Sequence, residues 1–401
     1  MTSTGQSRFR HALDHAAYSG FPWASVGEAA HSRALRQALR RSVVGHWPTG
    51  FRLIGQILMM LLWPLGSLQH AILTSFRVDR TALGRRSRTT LALEVWAAAL
   101  RYNLPPIDYI SYRLFEPGRP GQGSWLHSAD AHLHFNALAA PAVRALAGDK
   151  LAFAEMGEAI GVGVMPVLAV YGADGPIRQF SDGSPPPQDL MIKPRRGHAG
   201  RGRSIWRWQD GRHVADDATV AEPSFAAWLA NAARSDDLLV QALAKPPDRL
   251  GPLVPLCPPD VSIITAEWPD GRRVTAFALV MLELRENDQE VSFFRQVDLQ
   301  TGLVLPVSPG HTAPVWGQTP DLREYQAFHI PDWPTILAEI DRFHAALPGR
   351  GPVLKWDFLL TDQGPKLLET NTGCGVYLLQ SMTLRPITET PIGAALEAWA
   401  R

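Results

Sequence analysis

The chain has 401 residues, 46% of them hydrophobic and 19% charged, with a net charge of +1. This is a globular composition, long enough for two or three domains, and its near-neutral charge gives no ground for a nucleic-acid partner. Its two cysteines, Cys257 and Cys374, supply neither a disulfide framework nor a zinc spacing, which fits a reducing, cytoplasmic compartment. The charge is uneven: residues 1–104 hold thirteen Arg, no Lys and four acids, a net +9, so the remainder carries −8. A basic front section suits an anionic surface or an ordinary solvated helical face.

Residues 1–20 read as weakly structured, and the first forty residues lack the apolar core of a signal peptide. Residues 26–46 read as a basic amphipathic helix with Ala30, Leu35, Leu39 and Val43 on one side. "FRLIGQILMMLLWPLGSLQHAILTSFR" follows, interrupted by Gln56, Pro64, Ser67, Gln69 and His70. It is too broken for a spanning segment, and we read two helices meeting near Pro64. These are either a buried pair or a peripheral attachment to the inner face of an anionic membrane through residues 26–104. "TTLALEVWAAALRYNL" is a further helix ended by Pro105-Pro106. Short helices and a Gly/Pro loop occupy 107–148. From Asp149 onward helices and strands alternate. The expected organisation is a helical region at 1–104, a connector at 105–148, and two lobes at 149–240 and 241–401.

Only five lysines stand among 34 arginines: Lys150, Lys193, Lys245, Lys355 and Lys366. A chain that otherwise chooses Arg can keep Lys where a compact ammonium meets phosphate. "DLMIKPRRGHAGRGRSIWRW" predicts a strand ending in Lys193, a loop with Gly197, His198, Gly200 and Gly202, and a second strand. Glycines let backbone N–H groups approach an anion, and Arg195, Arg196, Arg201 and Arg203 add charge. The loop is neither a P-loop nor a dinucleotide fingerprint, because a strand follows it; a flexible basic hairpin has the same composition. "LLVQALAKPPD" predicts a strand and turn whose backbone at Gln241 to Leu243 could meet a flat ligand edge, with Asp248 near a ribose hydroxyl. An ordinary strand end reads the same way.

"VLKWDFLLTDQGPKLLETNTGCG" predicts a hairpin. A three-residue loop, Asp362-Gln363-Gly364, places Gly364 in the left-handed position, sets Thr361 against Pro365 and counts back to Asp357 opposite Glu369 and Lys355 opposite Asn371. Asp357, Glu369 and Asn371 then offer hard oxygen ligands for Mg²⁺ on one face. The solvent face of an edge hairpin also carries acids. Cys374 reads as a small buried residue.

Taken in order, these pieces resemble the ATP-grasp superfamily: "DK" at Lys150, "IKPRRGHAGRG" at Lys193, "LLVQAL", and an acid followed by "ETN". The resemblance covers about 145–385. "PPIDYISYRLFE", "VDLQTGLVLPV", "HIPDWPTI" and "WDFLLTDQGPKLLETN" are most similar to the sugar-transfer associated ATP-grasp group and extend it back to about 105. RimK-type glutamate ligases and D-alanine–D-alanine ligases are related branches. The resemblance implies an α+β fold in which two lobes clasp ATP. It places Lys150 and Lys193 on the α- and β-phosphates, Gly197 to Gly202 over the triphosphate, and Gln241 and Leu243 on adenine. Asp357, Glu369 and Asn371 would hold two Mg²⁺ ions, with Mn²⁺ a substitute. Lys355 stands where the D-alanine–D-alanine branch has an Arg that steadies an acyl phosphate. The group's substrate-side Arg is missing, since Ser262 of "VSIIT" stands near its place; Arg295 or Arg285 is the expected replacement.

The implied activity is amide formation through an acyl phosphate, in cell-surface polysaccharide or related metabolite synthesis. The substrates would be a small carboxylate and an amine or sugar-linked acceptor. A phosphotransferase on the same scaffold, and a nucleotide-binding scaffold docked on a membrane, are the competing expectations.

Overall fold

The computed structural model describes residues 52–401 apart from 198–201, 217–223, 251–252, 287–288 and 307–326, together with Leu35, Ala38, Leu39, Arg41 and Ser42. The predicted helix over 26–46 therefore lies largely outside the described residues. Leu35, Ala38 and Leu39 within it are helical and buried.

The fold is α+β, with a helical front section and two antiparallel sheets. Helix α1 (Arg52–Arg77) runs unbroken through Pro64, where two helices were expected. A proline removes one helical N–H and crowds the preceding turn, but α1 packs against α2 (Arg88–Tyr102). Trp63, Ser67, Ala71, Thr74 and Ser75 are buried on its inner side. The Trp96 indole of α2 donates to the Pro64 carbonyl at 2.9 Å. Tertiary packing thus carries the helix across the breaker. Helix α2 starts where Ser87 caps the Thr90 N–H and ends at Asn103, which takes the left-handed conformation with φ 54°.

Helix α3 (Ser128–Leu138) precedes α4 (Lys150–Ala159), which is capped by the Asp149 carboxylate on the N–H groups of Leu151 and Ala152. The first sheet contains β1 (Val167–Gly172), β2 (Gly175–Arg178), β3 (Leu190–Pro194), β4 (Ser204–Gln209), β5 (Arg212–Ala215) and β6 (Leu238–Ala242), in the order β2-β1-β6-β3-β4-β5. Helix α5 (Phe225–Ala232) packs on it through Phe225 and Leu229 against Leu190, Ile192, Trp206 and Val240. Strand β6 is central in this sheet and runs to Ala242.

The second sheet contains β7 (Asp260–Glu267), β8 (Arg273–Glu286), β9 (Gln289–Gln296), β12 (Val353–Thr361) and β13 (Gly364–Asn371), in the order β13-β12-β7-β8-β9. A small pair, β10 (Leu303–Val304) and β11 (Phe328–His329), precedes α6 (Trp333–Ala345). One face of the second sheet shares a core with α4, α6 and β1, through Leu354, Trp356, Phe358, Phe153 and Phe343. The other face is covered at one end by α3, α7 (Tyr377–Thr383) and α8 (Pro391–Ala400), which bury Ile264, Phe277 and Val353.

The edge strand β13 is not left open. Its Leu367 N–H donates to the Gly163 carbonyl at 2.8 Å, and the Met165 N–H donates back to the Leu367 carbonyl at 3.2 Å. The Gln241 side chain donates to the Met165 carbonyl at 3.0 Å. This chain of bonds ties the first sheet to the rim of the second.

Candidate active site

The hairpin sets Asp357 against Glu369 and Lys355 against Asn371, as expected, but by a different route. The loop has two residues, Asp362 and Gln363, and Thr361 pairs with Gly364 rather than Pro365. Gly364 does take a positive φ, 90°. A shift between Asp357 and Phe358 then inserts Leu368 as an extra residue, since Phe358 pairs with Leu367 and Asp357 with Glu369. The bulge cancels the one-residue difference in the turn. Burial of Leu354, Trp356, Phe358 and Leu360 on the core face holds this register, because a slip would turn the whole set over.

The polar face that results is not a solvated one: Asp357 is 3% exposed. Lys355 Nζ lies 2.9 Å from Asp357 Oδ2. Asn371 Nδ2 donates to Asp357 Oδ2 at 3.0 Å and to Glu369 Oε1 at 3.4 Å. Ser262 donates to Asp357 Oδ1 at 2.6 Å, because β7 sets it beside Asp357. The residue standing where a substrate Arg was expected therefore fixes the carboxylate of Asp357.

Two places along β7, Asp260 belongs to the same face, a member that sequence reasoning missed. Burial, then the Asp357 charge, push its carboxyl up to about 7, against the pull of Lys355. The Asp260–Ser262 alternation was visible in the sequence, but only strand pairing brings it beside Asp357. Burial works against the charge on Lys355, yet Asp357 beside it carries its pKa above the ordinary value.

Two cations approach from α4 and β3. Lys150, at the start of α4, places Nζ 3.9 Å from Glu369 Oε2 and donates to the Gly197 carbonyl at 2.5 Å. Lys193, at the end of β3, is half-buried, and burial pushes its pKa down to about 8, with Glu369 opposing and Lys150 adding to the effect. Gly202 has φ 73°, and a Cβ there would stand 2.9 Å from Pro194 Cγ, so the glycine lets the loop turn close against the strand end. His198, Gly200 and Arg201 lie outside the described residues.

Several expectations need correction. Arg195 does not add charge to the loop. Its Nε and Nη2 meet both oxygens of Asp149 at 2.8 and 2.7 Å, and Nη1 meets Asp237 at 3.2 Å, a bidentate clamp between the end of β3 and the cap of α4. Arg295 is on the wrong face for the substrate: it pairs with Val280, which pairs with Val261, two core-facing positions. Its Nε donates to the Leu305 carbonyl at 2.8 Å and it is 1% exposed. The side chain of Arg285 lies outside the described residues. Gln241 sits inside the ladder between Met191 and Val167. The Leu243 N–H is taken by the Asp189 carbonyl at 2.9 Å. Neither is presented as the open backbone edge that was expected. Asp248 is exposed on the connection from β6 to β7, and no described contact joins it to the polar face.

The donor chemistry fits a hard divalent cation. Among the described residues no group of three or more His, Cys, Asp and Glu side chains forms a metal site, and the predicted set has two carboxylates and an amide. Their oxygens suit Mg²⁺ when water and phosphate complete the shell. A half-turn of the Asn371 amide would present its oxygen. The segment after Asn371 is held in place, with Thr372 donating to Asn136 of α3 at 2.7 Å and Gly373 against the His132 ring. Cys374 is buried, and burial pushes its thiol up to about 12, which suits packing and not nucleophilic chemistry.

No protein-family model and no curated protein matches the chain. Among solved structures it is similar to the VanG D-Ala:D-Ser ligase from Enterococcus faecalis, at 12% identity and a TM-score of 0.39, over 66% of this chain and 64% of that one. It is similar to the D-alanine–D-alanine ligase from Helicobacter pylori at 9% identity and a TM-score of 0.35, over 64% and 58%. It is also similar to the ADP complex of an N5-carboxyaminoimidazole ribonucleotide synthetase at 12% identity and a TM-score of 0.33, over 57% and 45%. The chain spans less than two thirds of the length of each of these structures.

Proposed function

We propose that the chain is an ATP-grasp enzyme, an ATP-dependent carboxylate–amine ligase that works through an acyl phosphate. The observation that carries this reading is the meeting of Lys150, at the start of α4, with Glu369 of the acid–amide face, Nζ to Oε2 3.9 Å. Cations on one wall and oxygen ligands on the other are the two halves of a site for a metal-bound polyphosphate.

In this reading Lys150 and Lys193 hold phosphate oxygens, and the glycine-rich segment between Gly197 and Gly202 would cover them. Asp357, Glu369 and Asn371 would hold the magnesium. Bound magnesium supplies charge neutralisation on the transferred phosphoryl group. Ser262 keeps Asp357 oriented. Lys355 faces the reacting carboxylate and steadies the negative charge that develops as the acyl phosphate forms. Asp260, at the edge of the same face, favours an amine-bearing second substrate. Holding acid, phosphate and amine together accounts for much of the rate, on the order of 7–11 kcal/mol for well-placed groups. Adenine would lie at the exit of β6, bound by groups other than the Leu243 N–H. A role in cell-surface polysaccharide or related metabolite synthesis is proposed on the sequence resemblance alone.

The test is ATP turnover with Mg²⁺ over a panel of amino acids, hydroxy acids and amino sugars, reading ADP and phosphate together, with Glu369→Ala as the blank. Phosphate released only when an acid and an amine are both present supports the ligase. ADP without free phosphate would mean a phosphotransferase. No turnover, with Mg²⁺-ATP bound equally well by the Glu369→Ala protein, would overturn the metal assignment.

A further inference from the structure

Helix α1 has one face with no partner among the described residues. Ile54, Ile57, Leu61, Leu65, Ile72 and Phe76 are 44–68% exposed. At 100° per residue these six positions fall within an arc of about 100°, and from first to last they run about 33 Å. The opposite side of the helix, at Trp63, Ser67 and Ala71, is buried against the front section. The apolar stripe is therefore held outward by a fixed scaffold.

Its charge surroundings indicate what covers it. Residues 52–104 contain seven Arg, no Lys and two acids. Helix α1 itself has no acid. Arg77, Arg80 and Arg85 are exposed at its C-terminal end, and the Arg88 guanidinium stands 5.7 Å from the centre of the Phe76 ring. Of the two acids, Glu94 is paired with Arg86 at 3.5 Å. A second copy is a poor occupant. A two-fold contact through α1 is self-complementary, so each copy would offer the other only an arginine-bearing helix with no acid to pair with it. An apolar stripe along a helix with arginines at its end is the pattern of a helix lying in a lipid interface. Among the described residues no helix is long and apolar enough to cross a membrane.

We infer that the outer face of α1 is a membrane-docking surface for anionic lipid, with the stripe in the acyl boundary and Arg77, Arg80 and Arg85 on the headgroups. The inference is independent of the ligase reading.

The experiment is co-sedimentation of the full chain with phosphatidylcholine vesicles and with vesicles also containing phosphatidylglycerol. Two variants accompany it, Leu61→Ser/Leu65→Ser/Ile72→Ser and Arg77→Gln/Arg80→Gln/Arg85→Gln. All substituted side chains are exposed; circular dichroism and a cooperative thermal unfolding transition check the fold of each preparation. Expected is binding to the anionic vesicles that weakens with salt. It should fall roughly a hundredfold in the arginine variant and at least about tenfold in the serine variant. Three results would overturn the inference. The first is a wild-type chain that stays in the supernatant with anionic vesicles. The second is a folded serine variant that binds as tightly as wild type. The third is a wild-type dimer in sedimentation velocity that the serine variant breaks, with no vesicle binding, which would assign the stripe to a second copy.

Discussion

Lys193 offers a test that does not depend on knowing the substrates. Burial moves its pKa from an ordinary 10.5 to about 8, equivalent to roughly 3 kcal/mol of disfavoured charge. A bound polyphosphate would restore the charge, so nucleotide binding must be linked to proton uptake at this side chain. Below pH 8 Lys193 is already mostly protonated, and Mg²⁺-ADP affinity should be flat. Above it affinity should fall by up to tenfold per pH unit. At about pH 8.5 roughly 0.8 proton should be taken up per nucleotide bound, which calorimetry in buffers of different ionisation enthalpy measures directly. Lys193→Arg keeps the charge at all accessible pH and should abolish both the uptake and the slope. The reasoning fails if wild type takes up no proton near pH 8.5, or if Lys193→Arg takes up as many as wild type. In the free protein the sign is separate. The folded state binds fewer protons than the unfolded one between pH 8 and the ordinary value, so Lys193 makes stability rise with pH over that window.

Other outcomes follow from the same geometry. Arg195→Met should lower stability by about 2–3 kcal/mol in urea unfolding, and combining it with Asp149→Asn should cost less than the sum of the two, because they share one clamp. Asp260 is raised from 3.8 to about 7, so the folded state binds more protons than the unfolded state between these values and stability falls as pH rises through them. Asp260→Asn should remove that slope and raise stability above pH 7 by on the order of 2 kcal/mol, seen as a higher thermal midpoint. Ser262→Ala should cost about 1 kcal/mol of stability and reduce Mg²⁺-dependent turnover more than nucleotide affinity. Gly302 has φ 70°, and a Cβ there would stand 2.5 Å from Trp333 Cγ. Gly302→Ala should therefore destabilise by about 2–4 kcal/mol in thermal unfolding.

The alternation in "VLKWDFLL" determined by itself which side chains of β12 share a face, because strand geometry has a fixed period of two. It also made the pairing of Asp357 with Glu369 readable, although the turn and the bulge that produce it were not. Two errors of one residue cancelled, and only packing of Trp356 and Phe358 in the core selects that solution. The helix over 89–104 and the strand leading to Lys193 were legible from local pattern alone, whereas the caps at Ser87 and Asp149 were seen only in the structure. The tertiary structure alone decided the rest. Arg295 lies on a core-facing position because β9 registers against β8, and no local pattern reports a pairing with a remote strand. Arg195 is drawn from the loop to Asp149 and Asp237 because three distant segments end together. Helix α1 crosses Pro64 because α2 supports it, overriding a local preference. Asp260 joins the acid face because β7 pairs with β12 across almost a hundred residues of chain. Local sequence sets faces; long-range register decides which faces meet, and here the meeting of Lys150 with Glu369 is what turns two polar patches into one candidate site.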